Sequence, residues 1–531
     1  MSSATLTLDQ DFARPAINPW LIGVVVALAA FMEVLDTSIA NVALPYMAGD
    51  LGASNDQSTW VLTSYLVSNA IVLPISGWLA GALGRKRFFM GCLVVFTVSS
   101  LLCGIAPSLG LLLFFRILQG AGGGGLQPMA QAILADTFPP HQRGLAFALY
   151  GITAVMAPTI GPTLGGWITF NYSWRWIFFI NLPVGLVTLF LVYRLIVDPP
   201  YLHRLKAAGV RLDYIGIALL ALGVGSLQVL LDKGQEDDWF GSHFILTLAV
   251  TAAVCLISLV IWEWRHKAPI IDVKMFKSFN FASSNLMMFM LGFMLFSSLV
   301  AMPLFLQTLL GYTAEIAGFA LSAGGLVVLL EMPITGQLTT KVQARYLIAF
   351  GWLCLALAML YSTRRIDLLM SFSSALWLRI IQVAGLGFLF VPINLAAYVG
   401  VPAEKNNSVA GIVNFMRNMG SSVGTSFVTT VLARRTQYHQ EILVGHLTAG
   451  SPVFHDLTRG LAGMLARSPA SARGATMLAY ARIYRGLQAQ ATTLAYIDTF
   501  KLLAISSGVM FVLAFILKKN DPQAGGGVAV G

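Results

Sequence analysis

The chain has 531 residues, 57% hydrophobic and only 11% charged, with a mean hydropathy of +0.76. A water-soluble fold cannot bury that much apolar surface, so the composition excludes one and makes lipid the solvent. The 33 Lys+Arg against 23 Asp+Glu give a formal charge of +10. In a membrane protein this is the signature of basic cytoplasmic loops, and it argues against the nucleic-acid partner that the same charge would suggest in a soluble chain. The four cysteines, Cys92, Cys103, Cys255 and Cys354, are scattered through apolar segments without a CxxC and read as small buried hydrophobes.

The first eighteen residues are polar, with Asp9, Asp11 and Arg14. They lack the basic, short apolar and small-residue regions of a cleavable signal, so the first span is expected to stay in the mature protein. Apolar runs long enough to cross a bilayer then recur about fourteen times, near 19–42, 58–82, 87–107, 110–134, 144–169, 175–197, 212–231, 242–262, 281–307, 314–339, 344–362, 371–398, 408–433 and 498–517. The expected fold class is an all-α polytopic membrane protein. With the N-terminus in the cytoplasm, the inner side collects Arg14, Arg85, Lys86, Arg87, Arg143, Arg194, Arg204, Lys206, Arg211, Arg265, Lys267, Lys274, Lys277, Lys341, Arg345, Lys405, Lys518 and Lys519. The short outer loops hold only Arg175, Lys233, Arg364 and Arg365. This asymmetry places both termini in the cytoplasm.

The first run, beginning near Trp20, carries two carboxylates, Glu33 and Asp36, three apart and on one helix face. Glu33 falls near mid-membrane and Asp36 about a turn beyond. An ionised acid there costs at least roughly 2.5–3.5 kcal/mol, so it must face a wet cavity, meet a cation or take up a proton. A residue that chooses between proton and cation suits a proton-coupled transporter. At the second-to-third junction, GWLAGALGRKRFF (77–89) combines Gly77 and Gly84, for close helix approach and a tight turn, with the Arg85–Lys86–Arg87 cluster. In the fourth run Arg116, in RILQG with Gln119, is a lone intramembrane cation for which Glu33 or Asp36 is the candidate partner. The alternative is a purely structural ion pair. The following GAGGGG has neither a preceding strand nor a GK[ST], so helix packing explains it better than a phosphate loop.

In the fifth run, APTIGPTLGG (157–166) places Pro158 and Pro162 beside Gly161, Gly165 and Gly166. A kinked, thin-faced helix that packs closely and can rock is expected. Residues 198–280 read as an insert: two plain apolar helices, flanked by basic stretches, between an N-terminal bundle 1–197 and a C-terminal half 281–531. In the second half Glu331 and Arg379 sit inside spans, and Asn414, Arg417, Asn418 and Ser421 share a helix face. Glu331 is either a second proton or cation site or the partner of a buried Arg. Residues 434–497 form a polar stretch with helical periodicity, expected to be a small extracytoplasmic subdomain rather than a floppy loop. The 20 Met and 33 Phe suit an adaptable apolar pocket, although packing accounts for most of them.

These segments carry a family resemblance over essentially the whole chain. GWLAGALGRK resembles the signature loop of the major facilitator superfamily, except that Gly81 stands at the family's acidic position and leaves the motif's charge relay without its usual acid. RILQG resembles that superfamily's proton-coupling motif, and APTIGPTLGG resembles the antiporter motif of its exporters. LDTSIANVALP, with Asp36, Asn41 and Pro45, resembles the first-helix motif of the fourteen-helix drug:proton antiporters. WRWIFFINLP (174–183), NFMRNMGSSVG (414–424) and the long stretch ending LAYIDTF (494–500) are similar to further segments of that branch. The resemblance implies two pseudo-symmetric six-helix bundles plus two linker helices in a bacterial inner membrane. It implies no cofactor, energy from the proton gradient, lipophilic substrates, and both a periplasmic adaptor and an outer-membrane channel as partners.

The function expected is proton-coupled multidrug efflux: a compound binds between the halves, the halves rock, and a proton neutralises the carboxylate and releases the cargo. Asp36→Asn is expected to abolish coupling and leave insertion intact. The same fold could instead export a lipid, fatty acid or siderophore, or serve as a non-transporting sensor. No HExxH, nucleophile elbow or histidine cluster suggests an enzyme, and no ATP-binding signature is present.

Overall fold

The structure is a computed structural model that describes residues 18–199, 213–266, 269–447, 451–466 and 474–517. Arg14, Arg204, Lys206, Arg211, Lys267, Lys518 and Lys519 of the charge count above lie outside the described residues, as does the polar N-terminal stretch up to residue 17. The described regular structure is helical throughout. In the N-terminal half the helices are α1 (Pro19–Asp50), α2 (Asn55–Leu83), α3 (Arg85–Gly104), α4 (Leu109–Thr137), α5 (Arg143–Asn171) and α6 (Trp176–Leu195). The two insert helices are α7 (Tyr214–Lys233) and α8 (His243–Arg265). The C-terminal half holds α9 (Phe279–Thr308), α10 (Ala314–Leu338), α11 (Ala344–Arg365), α12 (Phe372–Tyr398), α13 (Asn406–Gly445), α14 (Pro452–Ala466) and α15 (Ala475–Ala514).

Thirteen described helices are long and apolar enough to span a membrane. The difference from the fourteen apolar runs is α13. It carries Asn414, Arg417, Asn418, Ser421, Ser422, Thr425, Ser426 and Thr429, and it still packs in the centre of the bundle, against α9, α15, α2 and α4. Its polarity is turned inward, which lowers its hydropathy without moving it out of the bilayer.

Within each half the helices pack on one another, α1 on α4 and α5, α2 on α4, α9 on α13, and α11 on α15. Two seams join the halves, α2 with α13 and α5 with α10. Both are backbone-close at one end. A Cβ on Gly77 of α2 would lie 2.7 Å from Ser408 Cα, and one on Gly336 of α10 would lie 3.0 Å from Gly144 O of α5. Such approach is open only to residues without a side chain.

Helix α5 runs unbroken through both prolines. Pro162 has no N–H to give the Pro158 carbonyl. Ser38 Oγ of α1 donates to that carbonyl instead, at 3.1 Å. Cβ atoms at Gly161 and Gly165 would meet Ser38 and Ile39. The Gly/Pro motif therefore seats α5 against α1, and the freed carbonyl is satisfied across the contact.

The stretch 434–497 is largely helical in its described parts. Helices α13 and α15 have 40 residues each, about 60 Å at the usual rise, against a hydrocarbon core of about 30 Å. Both continue well past the bilayer. His439 and Asp498 tie them together at 2.8 Å, and α14 packs on the projecting part of α15 through stacked Phe454 and Tyr480.

Candidate functional site: a central cavity with a buried carboxylate

A cavity of about 1070 Å³ lies between the halves. Its mouth is framed by Asn41 and Tyr46 of α1, Trp167 and Phe170 of α5, Gln307 of α9 and Glu315 of α10. These are the ends of α1, α5 and α9 and the start of α10. At the opposite end the glycine contacts shut the seams, and Asn406 of α13 donates to Asp136 of α4 at 2.6 Å. The cavity is thus open at one end only. Its wall is largely apolar, with Leu66, Leu295, Phe296, Leu299 and Phe390.

Glu33 is the carboxylate at its base. It accepts from Tyr65 Oη at 3.0 Å and Asn69 Nδ2 at 2.9 Å, both on α2, and from Gln127 Nε2 of α4. No cation lies within ion-pair distance of it among the described residues. Asp36, three residues on, is not part of the cavity wall. It takes Arg116 Nη1 at 2.6 Å, Gln119 Nε2 at 2.9 Å and Asn181 Nδ2 at 2.7 Å. The Arg116 guanidinium also lies 4.3 Å from the Tyr65 ring centroid. Arg116 is fully buried and Asp36 nearly so. One helix face therefore carries two acids in different states: Asp36 in a closed ion pair, and Glu33 held by neutral donors beside open space.

From Glu33 a hydrogen-bond chain crosses to the other half. Gln127 Oε1 accepts from Arg417 Nη2 of α13 and lies 3.2 Å from the Tyr150 hydroxyl, which donates to Asn414 Oδ1 at 2.8 Å. Asn414 Nδ2 donates to Gln131 Oε1, and Gln131 Nε2 to Asn394 Oδ1 of α12. Arg417 Nη1 has no hydrogen-bond partner among the described residues, and Arg417 borders the cavity. Asn418 Nδ2 adds a bond to Asn69 Oδ1 at 3.1 Å.

The structure thus gathers Glu33, Asn41 and Arg417 around the cavity, Asn414 just behind it, and Asp36, Arg116 and Gln119 in the adjoining pair. Glu331 stands apart from the cavity wall. Its carboxylate accepts from the backbone N–H groups of Gly385 and Gly387, at 2.9 and 3.1 Å, where α12 breaks between Val383 and Gly387. Arg379 is buried, donates to Ser298 Oγ at 3.1 Å and has no carboxylate partner among the described residues. Of the signature loop, Gly84 turns at φ +90°, a conformation that favours glycine. Arg85 meets Asp136 at 2.6 Å. Asp136 also accepts from Asn406 of the other half.

Sequence reasoning missed Tyr65, Asn69, Gln127, Gln131, Tyr150, Asn181 and Asn394. All are neutral polar residues within apolar helices. The available signal was that such residues need partners inside a membrane.

A closed-ended, largely apolar cavity between two helical halves, with the Glu33 carboxylate on its wall at membrane depth, defines a carrier for small molecules. Residues 26–425 match the family described as the Major Facilitator Superfamily, and the chain belongs to it. It is 40% identical to the multidrug export protein EmrB of Haemophilus influenzae over 435 residues, 82% of this chain and 84% of that protein. It is 37% identical to EmrB of Escherichia coli K12 over 429 residues, 81% of this chain and 83% of that one. It is 39% identical to the fatty acid resistance protein FarB of Neisseria gonorrhoeae over 434 residues, 81% and 84% of the two chains. Among solved structures, the proton:xylose symporter XylE aligns over 95% of this chain and 97% of its own, with a TM-score of 0.59 at 14% identity. That likeness speaks for the fold.

Proposed function

We propose that the protein exports lipophilic compounds, cationic ones included, in exchange for protons, and that Glu33 is the coupling carboxylate. The observation that carries this reading is Glu33 itself: at membrane depth, on the cavity wall, with three neutral donors and no cation within ion-pair distance among the described residues. A bound cation and a proton compete for such a group. Kinship with multidrug export proteins supports the cargo class.

Sidedness comes from charge. Of the described cations, Arg85, Lys86, Arg87, Arg143, Arg194, Lys341, Arg345 and Lys405 lie at the closed end, which is therefore cytoplasmic. The state seen is then outward-facing, in the inner membrane, with the projecting parts of α13, α14 and α15 in the periplasm. There they are placed to meet an adaptor protein that leads to an outer-membrane channel. Protons reach Glu33 from outside, neutralise it and displace a cationic cargo. The Gln127–Arg417–Tyr150–Asn414–Gln131 chain joins Glu33 to the closed end, so a change of charge on Glu33 is felt at the seam that must open for the inward state. Coupling follows only from a difference in affinity of proton and cargo for the two states. Asp36 with Arg116 serves as the fixed pair that orients α1.

A second reading has its own support. The Arg417 side chain borders the cavity, and the FarB relative is named for fatty acid resistance. An anionic amphiphile would be held there. Efflux of a panel of lipophilic dyes and a long-chain fatty acid from proteoliposomes under an imposed pH gradient separates the two. Gradient-driven dye movement supports the first, and gradient-driven movement of the fatty acid alone supports the second. No gradient-driven movement of either contradicts both.

A further inference from the structure

The insert helices read from the sequence as plain apolar spans, and for α8 this holds: its outer face exposes Val250, Val254, Ile257 and Ile261. Helix α7 is different. It packs on α2 of one half and α13 of the other, over the seam between them. Its inward stripe follows the four-residue repeat Leu220, Val224, Gln228, Asp232. Leu220 and Val224 cluster with Ala70 of α2 and Met419 of α13. One turn further on, where α2 and α13 diverge around the cavity, the stripe turns polar. Gln228, Leu231 and Asp232 border the cavity itself. Gln228 Oε1 accepts from Ser422 Oγ of α13 at 3.0 Å, and Asp232 accepts from Thr63 Oγ1 of α2.

A helix that merely seals a seam against lipid has no reason to turn an amide and, at its outer end, a carboxylate toward a cavity. Nor is Asp232 neutralised by its neighbour. The Lys233 ammonium turns away to Glu236 at 2.5 Å and to Thr59, above the Trp60 ring. Asp232 has no cation within ion-pair distance among the described residues. Thr63 and Asn69, which hold Asp232 and Glu33, are six residues apart on α2, about 9 Å along the axis.

We propose that α7 is a wall of the binding site, and that Asp232, flanked by Gln228, binds the charged end of a lipophilic cation on the mouth side of Glu33. When a proton takes Glu33, the cation keeps an anionic contact one step nearer the exit. The cargo class rests on the export reading above; the geometry does not.

The test is equilibrium binding to the purified full-length protein, with tetraphenylphosphonium as the cation and triphenylphosphine oxide as a neutral probe of similar shape. Asp232→Asn keeps the acceptor for Thr63 and removes the charge. Tetraphenylphosphonium affinity should fall by roughly tenfold or more, with the neutral probe unchanged and Asp232→Glu restoring the cation. Equal weakening of both probes, an unchanged cation affinity, or no cation binding by the wild type would overturn the proposal. Gln228→Cys, with Cys255 and Cys354 replaced by Ser, reads the same wall without touching the carboxylate. A membrane-impermeant thiol reagent should label it, and tetraphenylphosphonium should protect it; no labelling, or labelling without protection, counts against the wall. Export is measured separately in proteoliposomes. Binding without export contradicts the export reading and leaves the α7 wall standing. Export with Asp232→Asn blind to charge contradicts the wall alone.

Discussion

Glu33 and Asp36 differ by one helical turn and by everything around them. Replacing Glu33 by Gln keeps the size of the group and the Tyr65 and Asn69 donors while removing the titration. The variant should fold, bind a lipophilic cation more weakly, and lose most pH-gradient-driven export. Asp36→Asn is a different experiment in this structure. It leaves the Arg116 guanidinium buried without its carboxylate, which costs about 3–5 kcal/mol when a buried pair is broken from one side. Thermal unfolding in detergent should show a large loss of stability for Asp36→Asn and a small one for Glu33→Gln; equal shifts would contradict the division of roles. The two acids and Arg116 were legible in the sequence because charges stand out in apolar runs. Which acid took the arginine was not, because three residues of spacing leave both on one face and helix rotation decides the partner. Gln127 and Tyr150, which carry the link to Arg417, gave no signal stronger than any lone polar residue.

Among the elements, α5 shows how composition becomes close packing on two sides. Its glycines meet Ser38 and Ile39 on one side, while on the other Gly144 faces Gly336 and a Cβ on Gly318 would meet Thr163. Gly144→Leu should prevent closure at this end, because its side chain would run into Thr339 and the Gly336 backbone. The expected result is a transporter biased toward the inward-open state, read as faster thiol labelling of a cysteine at position 340 from the cytoplasmic side; unchanged labelling would refute the contact. The helices themselves were readable from apolar run length, but which of them meet across the halves was not. The reach of α13 and α15 was not, because hydropathy falls silent where a helix leaves the bilayer, although its periodicity persists through 434–497. The sequence also holds a repeat that explains the buried Arg379. RILQGAG (116–122) and RIIQVAG (379–385) share Arg, Ile, Gln, Ala and Gly at matching positions. The second copy keeps the arginine and glutamine but meets Ser298 where the first meets Asp36.

For the whole molecule, the two halves meet at one end and part at the other, with α7 across one seam. The Arg85–Asp136–Asn406 link spans the closed end. Asp136→Asn removes the charge from it and should shift the population toward the inward-open state, seen as a longer spin-label distance across that end; no shift would make the link dispensable. Met477, exposed on the projecting part of α15, should react as cysteine with an impermeant thiol reagent from the periplasm and not from the cytoplasm, and the reverse would invert the orientation. The all-helical class and its many spans could be read from apolar run length. The open end could not, because one chain visits both states and composition does not rank them.

The most direct test of the account is export of a lipophilic dye from proteoliposomes, wild type against Glu33→Gln, measured twice: with an imposed pH gradient, and as exchange at equal pH on both sides. The account predicts that the variant keeps exchange and loses the acceleration by the gradient. Gradient-driven export that survives in Glu33→Gln would remove Glu33 from the coupling step and with it the central claim.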